Sequence, residues 1–261
     1  MTGALPFPAR SPELFGPGDL PAPLGLPRRP GPPHAPHHPA KFTPAILDVV
    51  AAELAAEANR RGLDRSDLRV LDPFAGTGRV HLLSGATVGV ELEPEWAAMA
   101  PGTLLGDARL LPFGPGSFDA VATSPAYGNR LADHHAAKDG SVRRSYTHTL
   151  GRALTAGNAG TMPYRDRQGD DAPYRVLNRV AWAEVRRVLV AGGMLVVNVS
   201  DFVAGGERQH VTDWHVGVLG VLGFTVERTR TVETPRLRYG ANRQRVSGET
   251  VVVLRAPRAV S

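Results

Sequence analysis

The stretch VLDPFAGTGRV, residues 70–80, decides the fold. Val70 and Leu71 belong to a short apolar strand, 68–71, that stops at Asp72-Pro73, and the chain then bends through small residues. Gly76 and Gly78 permit positive φ and let backbone approach a ligand closely, while Asp72 can accept hydrogen bonds from a cationic or hydroxyl-bearing group. A GxG turn after a strand also occurs in dinucleotide binders. Here the full GxGxxG spacing fails, because His81 stands where the third glycine belongs.

Outward from this turn, apolar runs predict strands over 87–92, 103–105 and 118–123, with a short helix over 93–100. Upstream, Thr43-Pro44 opens an amphipathic helix carrying Ile46, Leu47, Val50, Leu54 and Ala55 at helical spacing. Downstream, a helix over 176–190 is expected to close at Gly192-Gly193 before a strand over 194–199, and a further helix over 211–222 ends at Gly223. Trp182 and Trp214 fall on these helical stripes and are read as core residues. Strands over 225–232 and 249–254 have no helix between them, so they are expected to form an antiparallel pair closing one edge of the sheet. The alternation of strand and helix elsewhere predicts an α/β fold with a mostly parallel sheet, and ligands outside the carboxyl ends of its strands. Three acids stand at such ends: Asp72, Glu91, suited to ribose hydroxyls, and Asp107, suited to the exocyclic amine of an adenine.

The rest of the chain sets bounds. Its 261 residues, 42% hydrophobic, support one large domain, expected over residues 41–261. Residues 1–40 are rich in Pro, Gly and His without a periodic apolar face, which predicts a disordered arm, and its histidines lack acidic or thiol companions for a metal. No long apolar run or secretory signal stands out, so the expectation is a cytoplasmic protein without membrane contact. The absence of cysteine removes disulfides, thiolate metal sites and cysteine nucleophiles together. A net charge of +5 favours an anionic partner, although Lys41 and Lys138 are the only lysines among 30 basic residues, a bias that GC-rich codons alone can produce.

At the fourth predicted strand end stands Ser124-Pro125-Ala126-Tyr127. Together with Asp72-Pro73-Phe74-Ala75-Gly76-Thr77-Gly78, this resembles S-adenosylmethionine-dependent amino-methyltransferases that act on nucleic-acid bases. The resemblance spans roughly residues 42–255. It implies a Rossmann-like seven-stranded methyltransferase sheet, a cofactor loop at Asp72, Pro73, Phe74, Gly76 and Gly78, a ribose-binding acid at Glu91 and an adenine-binding acid at Asp107. It also implies a catalytic tetrapeptide in which Asp, Asn or Ser is followed by Pro-Pro and an aromatic.

The chemistry of that tetrapeptide follows from its substrate. A base amine is a poor nucleophile because its lone pair is delocalised into the ring, so a catalyst must hold the NH₂ with acceptors that localise it. Ser124 Oγ and the Pro125 carbonyl are the candidate acceptors, and Tyr127 can stack on the extruded base. No metal is required. Ala126 departs from the family's second proline, which loosens the turn by roughly 0.4–1 kcal/mol and predicts reduced activity with the accepting atoms intact.

Little chain follows the last strand, so substrate recognition is expected from the long polar loop over 128–174, from the connection over 234–248 or from the arm. Asn129, Arg130, His134, Arg143 and Arg144 in the loop, and Arg238, Tyr239, Asn242 and Arg243 in the connection, are the candidate substrate-binding residues. The partner is expected to be nucleic acid, DNA first. Ser at position 124 tilts the family association towards N4 of cytosine over N6 of adenine. An RNA guanosine amino-methyltransferase and a catalytically inactive nucleic-acid binding protein of the same fold are the alternatives.

Overall fold

The computed structural model describes residues 42–83, 85–128, 150–164, 169–204, 206–233, 246 and 248–258. The expected arm, together with every substrate-binding candidate from Asn129 to Arg144 and from Arg238 to Arg243, lies outside the described residues.

Helix α1 (Pro44–Arg61) begins where the sequence places it: Thr43 Oγ1 accepts from the Ile46 N–H, Pro44 occupies the first turn, and Gly62 ends the helix at φ 66°. Its stripe of Ile46, Val50, Leu54 and Ala58 is buried on one face of a seven-stranded sheet. The strands are β1 (Arg69–Asp72), β2 (Ala86–Glu91), β3 (Thr103–Leu105), β4 (Phe118–Thr123), β5 (Leu189–Val199), β8 (Thr225–Glu233) and β9 (Gly248–Arg255). Their order across the sheet is β3-β2-β1-β4-β5-β9-β8. The first five are mutually parallel, while β9 runs antiparallel to both β5 and β8. This is the Rossmann-like sheet with an antiparallel C-terminal hairpin that the sequence implies. Among the described residues no helix is long and apolar enough to cross a membrane.

Alternate residues of the central strands feed two cores. Leu71, Val121, Leu195, Val197, Val252 and Leu254 pack with Trp182, Val185 and Val188 of α3 (Pro173–Val188) and Leu219 of α4 (Val211–Val221). Val70, Ala120, Ala122, Val196 and Val253 face α1. Burial on both faces explains why these strands read as continuous apolar runs.

Four features differ from the sequence reading. The third helix stops at Val188, and Gly192-Gly193 lie inside β5 as an irregularity in its pairing with β4, where Phe118 faces Leu189 but Ala120 faces Met194. The glycines therefore bend a strand instead of capping a helix. The expected helix over 93–100 shrinks to one turn, α2 (Pro94–Ala97), and the glycine-rich turn leads into a 3-10 turn at Arg79–Leu82. A small hairpin, β6 (Phe202–Ala204) with β7 (Glu207–Gln209), had no legible pattern because each strand is only three residues long.

Topology fixes where a ligand belongs. From β1 the chain builds β2 and β3 on one side, then returns to place β4 on the other side of β1. The carboxyl ends of β1 and β4 thus flank the point where strand order reverses, the place where open α/β sheets leave a crevice.

Candidate active site

That crevice exists. Asp72, Pro73, Phe74, Gly76, Glu91 and Asp107 line one part of it, and Ser124, Pro125, Ala126 and Tyr127 another. All three strand-end acids and the whole tetrapeptide meet there. Gly78 is not among the lining residues. Its glycine requirement comes from packing, since a Cβ there would overlap Ala100 Cβ at a φ of 76°. His81 supplants the third glycine by bridging β2 and β3, with Nδ1 and Nε2 each 2.9 Å from the hydroxyls of Thr87 and Thr103.

Asp72 is buried, and its Oδ1 accepts from Thr123 Oγ1 at 2.6 Å and from the Phe74 N–H at 3.0 Å. Burial dominates its titration and pushes it up to about 7, against those hydrogen bonds and with help from the neighbouring Glu91 charge. Glu91 staples the glycine loop to its own strand: one carboxylate oxygen accepts from the Gly76 N–H and the other from the Glu93 N–H, both at 2.8 Å. Burial raises it to about 6. Each Glu91 oxygen keeps lone-pair capacity for a ligand hydroxyl.

Asp107 has a partner the sequence reading did not foresee. Arg109 Nε and Nη2 grip its Oδ2 at 3.0 and 2.5 Å. Burial pushes the Asp107 carboxyl up, but the Arg109 hydrogen bonds outweigh it and leave the group below the usual range. Arg109 in turn reaches the segment over 150–164, where a Cβ on Gly157 would lie 3.0 Å from Nη2.

Part of that segment lines the crevice, and it is organised by Glu93, a fully buried carboxylate. Glu93 accepts from Arg152 Nη2 at 2.7 Å, the Thr155 N–H at 2.8 Å, Thr155 Oγ1 at 2.9 Å and Asn158 Nδ2 at 2.7 Å. Asn158 then caps the 3-10 turn Ala159–Thr161, and residues 157–160 become part of the crevice wall. Sequence reasoning missed Glu93 because it reads as an ordinary first-turn acid. Glu93→Ala should cost about 3 kcal/mol, the scale of lost hydrogen bonds to a buried charge. Urea denaturation measures that loss, and limited proteolysis should show faster cleavage near Arg152.

The tetrapeptide is tied down from two sides. Tyr127 Oη donates to Glu249 Oε2 at 2.9 Å and lies 3.1 Å from Ser124 Oγ. Asn198 Nδ2 reaches Glu249 Oε2 at 2.7 Å and Tyr127 Oη at 3.1 Å. A carboxylate only accepts, so the Tyr127 proton is committed to Glu249 and the Ser124 hydroxyl donates to Tyr127. Ser124 Oγ also accepts from Asn198 Nδ2 at 3.4 Å and keeps one lone pair as an acceptor for a ligand. On the other side Tyr174 Oη meets the Ala126 carbonyl at 2.6 Å, and the Tyr164 N–H donates to the Gly128 carbonyl at 2.8 Å. Neither Asn198 nor Glu249 carries a local motif; the pairing of β5 with β4 brings Asn198 beside Ser124, and the pairing of β9 with β5 adds Glu249.

No protein-family model and no curated protein matches the chain. Solved structures similar to it in fold include the cyclase SpnF, 16% identical over 88% of this chain and 90% of that one, at a TM-score of 0.48. A second is the Burkholderia thailandensis 1,6-didemethyltoxoflavin-N1-methyltransferase with bound S-adenosylhomocysteine, 16% identical over 82% and 79%, at 0.44. A third is the N-methyltransferase NodS from Bradyrhizobium japonicum, 11% identical over 80% and 96%, at 0.46. The reaction has to be argued from the site, because a fold does not fix a function.

Proposed function

We propose that the protein transfers a methyl group from S-adenosylmethionine to the exocyclic amine of a DNA base, with N4 of cytosine favoured over N6 of adenine. The observation that carries this reading is that one crevice holds both an acid-lined glycine turn and a Ser-Pro turn whose serine is left as an acceptor.

The donor set suits the cofactor. Gly76 sits at φ 53° with its N–H on Glu91, leaving the small-residue turn open on the crevice side. Asp72 and Glu91 can meet a cationic amino acid moiety and ribose hydroxyls, and Phe74, Leu92 and Trp96 offer apolar surface to a flat ring. When bound, the cofactor supplies an electrophilic sulfonium methyl. Ser124 Oγ and the Pro125 carbonyl then hold the two amine hydrogens so that the nitrogen lone pair points out of conjugation, and Tyr127 orients Ser124 while its ring flanks the base. The net charge of +5 adds long-range attraction to a polyanion.

The deciding experiment offers labelled cofactor to DNA and to tRNA, followed by digestion to nucleosides. Labelled N4-methylcytosine supports the proposal. Label in a tRNA guanosine selects the RNA reading, and cofactor binding without any transfer selects the inactive one.

Cofactor binding has its own test. Gly76→Val should weaken S-adenosylmethionine affinity about tenfold or more, the equivalent of about 1.4 kcal/mol, by filling the turn and straining its backbone. Calorimetry showing wild-type affinity in this variant would remove the turn from the cofactor site.

A further inference from the structure

Position 126 is where the resemblance calls for a second proline, and the structure puts something else there. The Ala126 carbonyl ends a chain of hydrogen bonds that begins in the core between α3 and α4. Trp182 Nε1 lies 2.9 Å from His215 Nδ1, and an indole N–H can only donate. His215 Nδ1 is therefore an acceptor, and the neutral ring carries its proton on Nε2. That Nε2–H faces Tyr174 Oη at 2.9 Å, so the Tyr174 hydroxyl is free to donate onward to the Ala126 carbonyl at 2.6 Å. One donor sets the direction of every bond that follows. Trp182, His215 and Tyr174 are all essentially buried. Burial lowers His215 to about 3 and pushes the Tyr174 hydroxyl well up, so both stay neutral and the chain keeps one polarity.

We propose that Tyr174, held by His215 and Trp182, is a positioning residue for the catalytic turn and supplies by hydrogen bonding the rigidity that Ala126 gives up. The proposal rests on the reading of Ser124 to Tyr127 as the turn that holds the amine. A proline at 126 would confine Pro125 from the chain itself. The Tyr174 bond instead pins the peptide plane between Ala126 and Tyr127, fixing the neighbouring Pro125 carbonyl and the Tyr127 ring from outside. Its anchors are two packed helices, the kind of rigid support a preorganised site needs. The next residue is fixed as well: Gly128 has a φ of 69°, and a Cβ there would lie 2.7 Å from backbone and side-chain atoms of Tyr164. The turn is thus clamped at the carbonyls on either side of Tyr127, those of Ala126 and Gly128.

The test uses Tyr174→Phe in the full chain, which keeps the ring and removes the donor. Hydrogen exchange at Tyr127 and Gly128 should quicken about tenfold while β4 and α1 keep their protection. Turnover should fall about tenfold, with the KM for cofactor unchanged. Adding Ala126→Pro to Tyr174→Phe should then restore both, because a covalent restraint replaces the lost bond. A purely structural role for Tyr174 would quicken exchange across β4 as well and would not be rescued by proline. Unchanged exchange at the turn, or no rescue, overturns the proposal. His215→Phe, which cuts the chain one step earlier, should show the same localised pattern and serves if Tyr174→Phe does not fold. Should the wild-type protein transfer no methyl to any base, the catalytic reading falls, while exchange and its rescue still judge the clamp.

Discussion

Ser124→Ala is expected to reduce methyl-transfer turnover by a factor on the order of 10²–10³, the usual loss when a preorganised polar contact to the reacting group is removed. Cofactor affinity, measured by calorimetry, should stay as in the wild type, because no bond from Ser124 to the acid-lined turn is involved. Glu249→Gln should reproduce part of this loss, about tenfold, for a reason specific to the network. An amide at 249 can donate to Tyr127 Oη, which lets the Tyr127 proton turn towards Ser124 and the Ser124 hydroxyl point at the amine as a donor. If Glu249 acts only through Ser124, the double variant should be no slower than Ser124→Ala alone. Additive losses would show that Glu249 has a separate role, and full activity in Ser124→Ala would take the turn out of the mechanism.

Asp72→Asn should stabilise the cofactor-free protein above pH 7 while weakening its hold on the cofactor. The sign follows from proton binding. Asp72 has an ordinary value of 3.8 but titrates near 7 in the folded chain, so between those values the folded state binds the extra proton. Stability from this group therefore falls as pH rises through that window, and the full difference, about 4 kcal/mol as an upper figure, is felt above pH 7. Asparagine keeps an acceptor for Thr123 and Phe74 without the buried charge. Urea denaturation should show the gain at pH 8, a smaller gain at pH 5 and none below about pH 4. A variant less stable than wild type at pH 8 would mean that the carboxylate is held charged by the folded chain. The same physics predicts proton release when a cationic ligand binds near neutral pH, visible as a dependence of calorimetric heat on the buffer's ionisation enthalpy.

The cost arises because, among the described residues, only a hydroxyl and a backbone N–H are seen to hold Asp72, and burial outweighs them. Two buried carboxylates away from the crevice differ. Glu57 is ringed by Arg60, Arg61 and Arg255, and Asp119 by Arg61 and Arg69. For both, burial pushes the carboxyl up, and the arginine hydrogen bonds outweigh it and leave the group below the usual range.

The sequence by itself determined whatever rests on neighbours along the chain. The cap at Thr43-Pro44, the apolar runs of β1 to β4, the acids at the ends of β1, β2 and β3 and the small-residue turn at Gly76 are local patterns, and a crevice lined by them follows once alternation implies a parallel sheet. Gly192-Gly193 misled for the same reason, since a glycine pair after an apolar stripe looks alike whether it ends a helix or bends a strand, and only pairing with β4 distinguishes them. Tertiary structure alone decided the partners of the turn. Asn198 reaches Ser124 and Tyr127 because β5 pairs with β4, Glu249 joins them because β9 inserts between β5 and β8, and His215 and Trp182 reach Ala126 through Tyr174 because α3 and α4 pack together. Those contacts join residues far apart in the chain, where no periodicity or spacing leaves a trace, and burial then turns ordinary polar side chains into fixed, directional hydrogen bonds.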